Sequence, residues 1–395
     1  MRWWKRAVQL RTQLSLSLSL SLAPMRIFDF FAGGGCFSTA AAALEGVEVA
    51  LGVDDWGVAL STFRRNHPGA AARGTTLPAT WEALRLPPAR APADAVHAHF
   101  SPPCVAFSSS RRGRETEAEV ELGVRLLTWS VEFAVRHGLA SYSVENVAVD
   151  AVKRLFRRLK ECHPGGFDYV ELKAERLGAA CERARLVGGA PDLVARLKAL
   201  PALEAPQLRT MRQAFEAAGV AVPAEATHVR SGSGRYRPHG GGSAFALRRI
   251  ATERATTLVA SRALVFATAD GTTVRQLAPR EAAALMGLPA TMALPDTVRD
   301  ATAVLGNGIE AHAARAIVVA AREALAEAGA RTDGDDALTA AAREAVDAAV
   351  AGAVEAHVAW WRARTRKRRL VVERAEADGV ARAKVLRILD ELGQA

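Results

Sequence analysis

The chain has 395 residues, half of them hydrophobic, and a formal net charge of +10. That is enough chain for one large domain with appendages or for two domains, and enough apolar content for a substantial core. The four cysteines, Cys36, Cys104, Cys162 and Cys181, form no CxxC pair, which excludes a zinc ribbon or a disulfide framework and fits a reducing compartment. No stretch is long and apolar enough to span a bilayer. The basic balance suits a polyanionic partner, since lysine and arginine displace counterions from phosphates, although many basic proteins never meet nucleic acid.

Arg2, Lys5, Arg6 and Arg11 precede alternating Leu and Ser from Leu14 to Leu22, with no acidic residue before Asp29. This composition fits an organelle transit peptide and, less well, a secretory signal. The favoured expectation is an unstructured extension, residues 1–24, ahead of a natural start at Met25, because a strand pattern begins there.

Residues 26–31 predict a short buried strand, Ala32 to Gly35 a glycine-rich turn, and Thr39 to Leu44 a helix. Val47 to Val53 is a second apolar strand, closed by Asp54 and Asp55. Ala95 to Phe100 is a third, ending at Ser101-Pro102-Pro103, where the prolines stop regular pairing. Leu122 to Val135 has helical spacing, and Ala140 to Val144 predicts a strand ending at Glu145-Asn146. Strands alternating with helices indicate an α/β fold with a mostly parallel sheet. From about 190 to 249 the pattern is irregular, and the polar, glycine-rich stretch from Ser231 to Gly242 predicts a loop. Helical pattern resumes over Pro279 to Met286 and Glu310 to Ala328. A linker, Gly329 to Asp336, leads to a helical tail in which six of the eight residues from Arg362 to Arg369 are basic. Such a run is either a solvated helix face or a nucleic-acid contact or nuclear address.

Three places suit chemistry. Phe31-Ala32-Gly33-Gly34-Gly35-Cys36-Phe37 lies between a strand and a helix, where glycines let backbone amides approach a ligand and the helix start adds partial positive charge. A carboxylate after the next strand, Asp54 or Asp55, is placed to bind ribose hydroxyls. The pattern alone indicates an adenosine-containing cofactor, or simply a tight turn. Ser101-Pro102-Pro103-Cys104-Val105-Ala106-Phe107-Ser108 puts a cysteine in a proline-stiffened loop at a strand's carboxyl end. A thiolate there is a strong nucleophile, although a lone cysteine is more often structural. Glu145-Asn146-Val147 follows a strand and either shares a pocket with Cys104 or caps the next helix.

In order and spacing these segments resemble the cytosine-5 methyltransferase family. Phe31 to Phe37 resembles its cofactor motif. Pro103-Cys104 with Phe107-Ser108 resembles its nucleophile motif, and Glu145-Asn146-Val147 matches its Glu-Asn-Val motif. Arg183-Ala184-Arg185 resembles its paired arginines, and Arg275 to Pro289 the segment supporting its recognition region. Gly306-Asn307-Gly308 resembles the late Gly-Asn motif that returns to the cofactor.

The resemblance implies a Rossmann-like, mostly parallel α/β methyltransferase domain with a small irregular target-recognition region and a helical C-terminal tail. The implied division is a catalytic and cofactor-binding part over 25–189, target recognition over 190–255, a return to the catalytic part over 256–328, and a basic tail over 329–395. It implies S-adenosylmethionine as cofactor, held by Phe31, Gly33, Gly35 and Phe37, with Asp55 on the ribose, Trp56 against the adenine and Asn307 closing the site. Cys104 would attack carbon 6 of cytosine, Glu145 would hold N3 and the amino group, and Arg185, with Arg183 nearby, would contact the carbonyl. No metal is implied. Such a pocket requires a duplex base to be flipped out.

The chain departs from the family's pattern in places. Val105 stands where Gln usually follows Pro-Cys, and Cys181 where a Gln leads the paired arginines. Cys36 interrupts the cofactor glycines, and Gly74-Thr75-Thr76 lacks the Asp expected near adenine. The segment before Arg275 is short for a DNA recognition domain. The expected substrate is DNA. The alternatives are tRNA, whose branch carries a Cys-Phe-Thr segment not found here, and a catalytically silent DNA-binding homologue, which has no need of Cys104, Glu145 and Arg185 together. A small-molecule methyltransferase leaves the Pro-Cys and Glu-Asn-Val pairing unexplained. A monomer is expected, in the nucleus or in the cytoplasm or nucleoid, with organelle targeting less favoured.

Overall fold

A computed structural model describes residues 24–79, 81–84, 95–105, 107, 116–204, 208–231, 247–260 and 263–329, together with positions 352, 355–359 and 363. The N-terminal extension, Ser108, the glycine-rich stretch after Ser231 and the basic side chains of 362–369 lie outside the described residues.

A seven-stranded sheet organises the molecule. Its strands are β1 (Met25–Phe30), β2 (Val47–Asp54), β3 (Ala71–Gly74), β4 (Val96–Phe100), β5 (Tyr142–Val147), β6 (Asp168–Lys173) and β7 (Ala184–Gly189), in spatial order β3-β2-β1-β4-β5-β7-β6. The first five pair in parallel, while β7 runs antiparallel between β5 and β6. This is the mostly parallel arrangement expected from the strand–helix alternation, and the Rossmann-like sheet that the family resemblance implies. Every residue of β1 is buried, as befits a central strand covered on both faces. Because side chains alternate, Met25 and Ile27 enter one core and Phe28 and Phe30 the other. On the second face Phe30 and Phe100 stack with ring centres 4.5 Å apart.

The helices that flank or follow these strands are α1 (Cys36–Ala42), α2 (Gly57–Asn66), α3 (Trp81–Leu84), α4 (Glu117–Arg136), α5 (Asp150–Cys162), α6 (Pro191–Ala199), α7 (Met211–Ala217), α8 (Pro279–Leu285), α9 (Val298–Asn307) and α10 (Ala311–Gly329). Helix α4 begins earlier than the apolar spacing predicts because Thr116 and Glu119 form a capping box. Strand β5 runs through Glu145-Asn146-Val147 rather than ending before them, since pairing with β7 extends it. These residues therefore do not cap the next helix, whose N-cap is Val149.

The segment read as irregular contains ordered elements. Helix α6 starts at a proline and packs against α10 and the β6–β7 edge. Helix α7 carries a capping box of Thr210 and Gln213. A four-stranded antiparallel sheet, in order β11-β10-β8-β9, joins β8 (His228–Ser231), β9 (Arg248–Arg249), β10 (Leu264–Ala267) and β11 (Thr273–Gln276). It draws on residues both before and after the expected boundary at 255, because β8 finds its partner in β10. Elements this short leave little periodicity to read. Among the described residues no helix is long and apolar enough to cross a membrane, and no three His, Cys, Asp or Glu side chains are grouped to hold a metal ion.

Candidate active site

A cavity of about 320 Å³ opens at the carboxyl ends of β1, β4 and β5, where parallel α/β sheets offer a crevice. Its wall brings together Phe31, Gly33, Phe37, Asp55, Trp56, Cys104, Glu145, Arg185 and Asn307. Gly35 and Arg183 do not line it. Gly35 is instead the N-cap of α1, with φ of 82°, a left-handed conformation that glycine adopts without steric cost.

One end is built from loop amides and rings. The Gly33 and Trp56 N–H groups donate to opposite oxygens of Asp54, each at 2.8 Å, so this carboxylate ties the β1–α1 loop to the end of β2. Of the two acidic residues that the sequence offers for a ribose, Asp54 is thus committed to backbone, while Asp55 stands beside it on the cavity wall. Burial pushes the Asp54 carboxyl up, and the two amide bonds oppose that shift. Phe31 holds a φ of 59°, which is strained for an aromatic residue and costs on the order of 1 kcal/mol. Phe37 stacks on His99 at 3.6 Å. Behind them lies Asp29, paired in register with His99 across β1 and β4, its carboxyl pushed up to about 7 by burial. Rings, loop amides and a carboxylate on one concave wall match the needs of a nucleoside: stacking for the base and an acceptor for the ribose hydroxyls.

The other end is reactive. Ser101-Pro102-Pro103-Cys104 leaves β4, and the Asn146 side-chain amide pins this loop by donating to Pro102 O at 2.9 Å. Glu145 and Arg185 sit diagonally across the β5–β7 ladder and form an ion pair of 2.7 Å, with side chains only 5% and 11% exposed. Ser101 Oγ donates to the other Glu145 oxygen at 2.6 Å. Burial pushes the Cys104 thiol up, Arg185 and then Arg183 pull it down, and Glu145 adds to the upward shift, so the resting group is the neutral thiol. The site therefore offers a protected sulfur nucleophile beside a carboxylate–guanidinium pair. It suits a flat ring that presents donor and acceptor edges and gains negative charge when attacked.

Arg183 is fully buried behind this end. Its guanidinium donates to Leu258 O, Gly306 O and Gly308 O at 2.8, 2.9 and 2.6 Å. Burial lowers its pKa to about 10. Ser101, Asp29 and His99 also line the cavity, and sequence reading did not single them out. Asp29 and His99 sit on inward-facing strand positions that look like ordinary core. Ser101 could have been suspected from its place at the end of β4, three residues before Cys104.

No protein-family model matches the chain, and no curated protein matches its sequence. Solved structures do match its fold. A candidate DNA modification methyltransferase encoded within an E. coli prophage aligns with a TM-score of 0.51 at 18% identity, over 76% of this chain and 99% of that one. The Entamoeba histolytica methyltransferase EhMeth aligns with a TM-score of 0.50 at 12% identity, over 77% of this chain and 98% of that one. At these identities the likeness establishes a shared fold.

Proposed function

We propose that this chain is a cytosine-5 methyltransferase acting on DNA, with S-adenosylmethionine as methyl donor and Cys104 as nucleophile. The observation that carries the proposal is the convergence of Cys104, Glu145 and Arg185 at one end of a cavity whose other end suits a nucleoside. The DNA modification methyltransferase and EhMeth with which it shares its fold support the same reading. The net charge of +10 favours a nucleic-acid substrate over a small molecule.

Phe31, the Gly33 backbone, Phe37, Asp55, Trp56 and Asn307 would hold the cofactor. Bound there, it supplies an electrophilic methyl group. Cys104 loses its proton to solvent and forms a sulfur–carbon bond at C6 of the cytosine. The electron pair of the C5–C6 double bond moves onto C5, N3 and O2. Glu145 faces N3 and the amino group and orients the ring, and Arg185 faces O2, so the developing charge meets a guanidinium already fixed in place by its ion pair. After C5 gains the methyl group, it loses its proton to solvent. The released pair restores the C5–C6 bond and expels Cys104 as the thiolate.

The test is transfer of tritium from labelled S-adenosylmethionine to duplex DNA, with and without Cys104→Ala. Labelling by the unsubstituted protein and none by the variant is expected, together with a covalent adduct on 5-fluorocytosine DNA that requires Cys104. Equal labelling by the variant overturns the mechanism. Labelling of tRNA but not DNA replaces the substrate.

A further inference from the structure

We infer that Arg183 is a positioning residue that couples the two ends of the cavity by capping the helix that presents Asn307. This rests on the cofactor reading proposed above. Helix α9 ends at Asn307, and the last carbonyls of a helix have no partner within it. A single Arg183 nitrogen, Nη2, donates to the carbonyls of Gly306 and Gly308, the two residues that flank Asn307. The other, Nη1, donates to Leu258 O and so ties the same end to the segment that passes over it. A guanidinium at a helix C-terminus also complements the helix dipole.

The fit at the helix end is close. A Cβ at Gly306 would lie 2.2 Å from the Ala260 nitrogen, so only glycine lets the helix end approach. Arg183 itself is 1% exposed, and its three side-chain hydrogen bonds all go to carbonyl oxygens. Burying a cation is costly, and an apolar side chain would fill the space at less cost. What only the guanidinium does is fix the position of Asn307. Two residues further along, Arg185 grips Glu145, and β7 is hydrogen-bonded on both sides between β5 and β6. Arg185 on this braced strand thus holds the base end, and Arg183, directly before the strand, holds the cofactor end. Ligands at the two ends are then linked reciprocally.

The test uses the full chain and Arg183→Lys, which keeps the charge but loses the planar fork. Affinity for S-adenosylhomocysteine is measured by calorimetry in the unsubstituted protein, R183K, Asn307→Ala and the double variant. Hydrogen exchange is read at the Gly308 amide, which bonds Val304 O at 3.0 Å. R183K is expected to weaken binding about tenfold and to speed exchange at Gly308 while leaving α4 unchanged. N307A is expected to cost far less in R183K than alone. Gly306→Ala, which leaves Arg183 untouched, should reproduce both changes and serves if R183K does not fold. Additive affinities with unaltered Gly308 exchange overturn the coupling alone. No binding of S-adenosylhomocysteine by the unsubstituted protein overturns the cofactor reading, and the coupling with it.

Discussion

Ser101 donates to one oxygen of Glu145 at 2.6 Å while Arg185 holds the other at 2.7 Å, so the carboxylate is fixed at both ends. Each bond fixes the orientation of the carboxylate, so removing one lets it turn. Ser101→Ala is therefore expected to slow adduct formation on 5-fluorocytosine DNA by about tenfold to a hundredfold. Ser101→Thr, which keeps the hydroxyl, should restore the rate. A rate in Ser101→Thr no better than in Ser101→Ala would reduce Ser101 to a packing residue.

Cys104 rests as a thiol because burial outweighs the pull of Arg185. Only the thiolate attacks, and below its pKa the thiolate fraction grows about tenfold per pH unit. Adduct formation should therefore rise at about that rate between pH ~6 and ~8. A flat profile over that range would mean that the sulfur is already ionised at rest.

The Glu145–Arg185 pair is buried, so each partner depends on the other. Arg185→Ala leaves a stranded carboxylate and is expected to cost about 3–5 kcal/mol of stability in urea unfolding. Adding Glu145→Ala should recover much of that loss, with activity absent in both variants. Equal destabilisation by the single and double variants would count against a coupled pair.

Asp54 holds the Gly33 and Trp56 amides together. Asp54→Asn keeps one acceptor of the two and should weaken S-adenosylhomocysteine binding. At a ligand concentration about a hundred times the dissociation constant, the unsubstituted protein should gain about 2.7 kcal/mol of apparent stability. The variant should gain visibly less at the same concentration. An equal gain would show that the loop holds its shape without this tie.

His97 is buried between Ser141 and Ser143, and burial pushes its pKa down to about 3. An unfolded histidine titrates near about 6.5, so between these values the unfolded chain binds a proton that the folded chain refuses. The stability tied to this neutral ring is complete above pH ~6.5 and is lost as pH falls towards 3, at about 1.4 kcal/mol per pH unit. His97→Gln, which does not titrate, should make the acid slope shallower by about that amount in denaturant titrations at pH ~5.5 and ~4.5. An unchanged slope would place the proton uptake elsewhere.

The strand-and-turn skeleton up to β5 was legible because buried parallel strands write themselves as short apolar runs closed by glycine, proline or acidic residues. β1, β2 and β4 are all of this kind. The pair β6–β7 escaped notice because β6 has a largely half-exposed pattern and β7 ends in two glycines. The residues that line the cavity from known motifs could be named from sequence, whereas their bonds could not. Asp54 and Asp55 look equivalent in the chain, and only the fold shows that, of these two wall residues, Asp54 is tied to backbone amides. Arg183 and Arg185 look like a matched pair, yet one points into the site and the other holds up a helix end behind it.

The reversed direction of β7 has a consequence for how this protein tolerates change. A parallel strand delivers its last residues to the crevice, and the loop that follows carries the site onward, as with Gly33 after β1 and Cys104 after β4. β7 delivers its first residues, so Arg185 is placed by the length of the connection that leads into it from β6. Gaining or losing a single residue between Lys173 and Ala184 would slide the register with β5 and turn Leu186 or Ala184 towards Glu145 in place of Arg185. The loops after β1 and β4 are held by their own ties, at Gly33 and Pro102, but the connection into β7 is under a ruler.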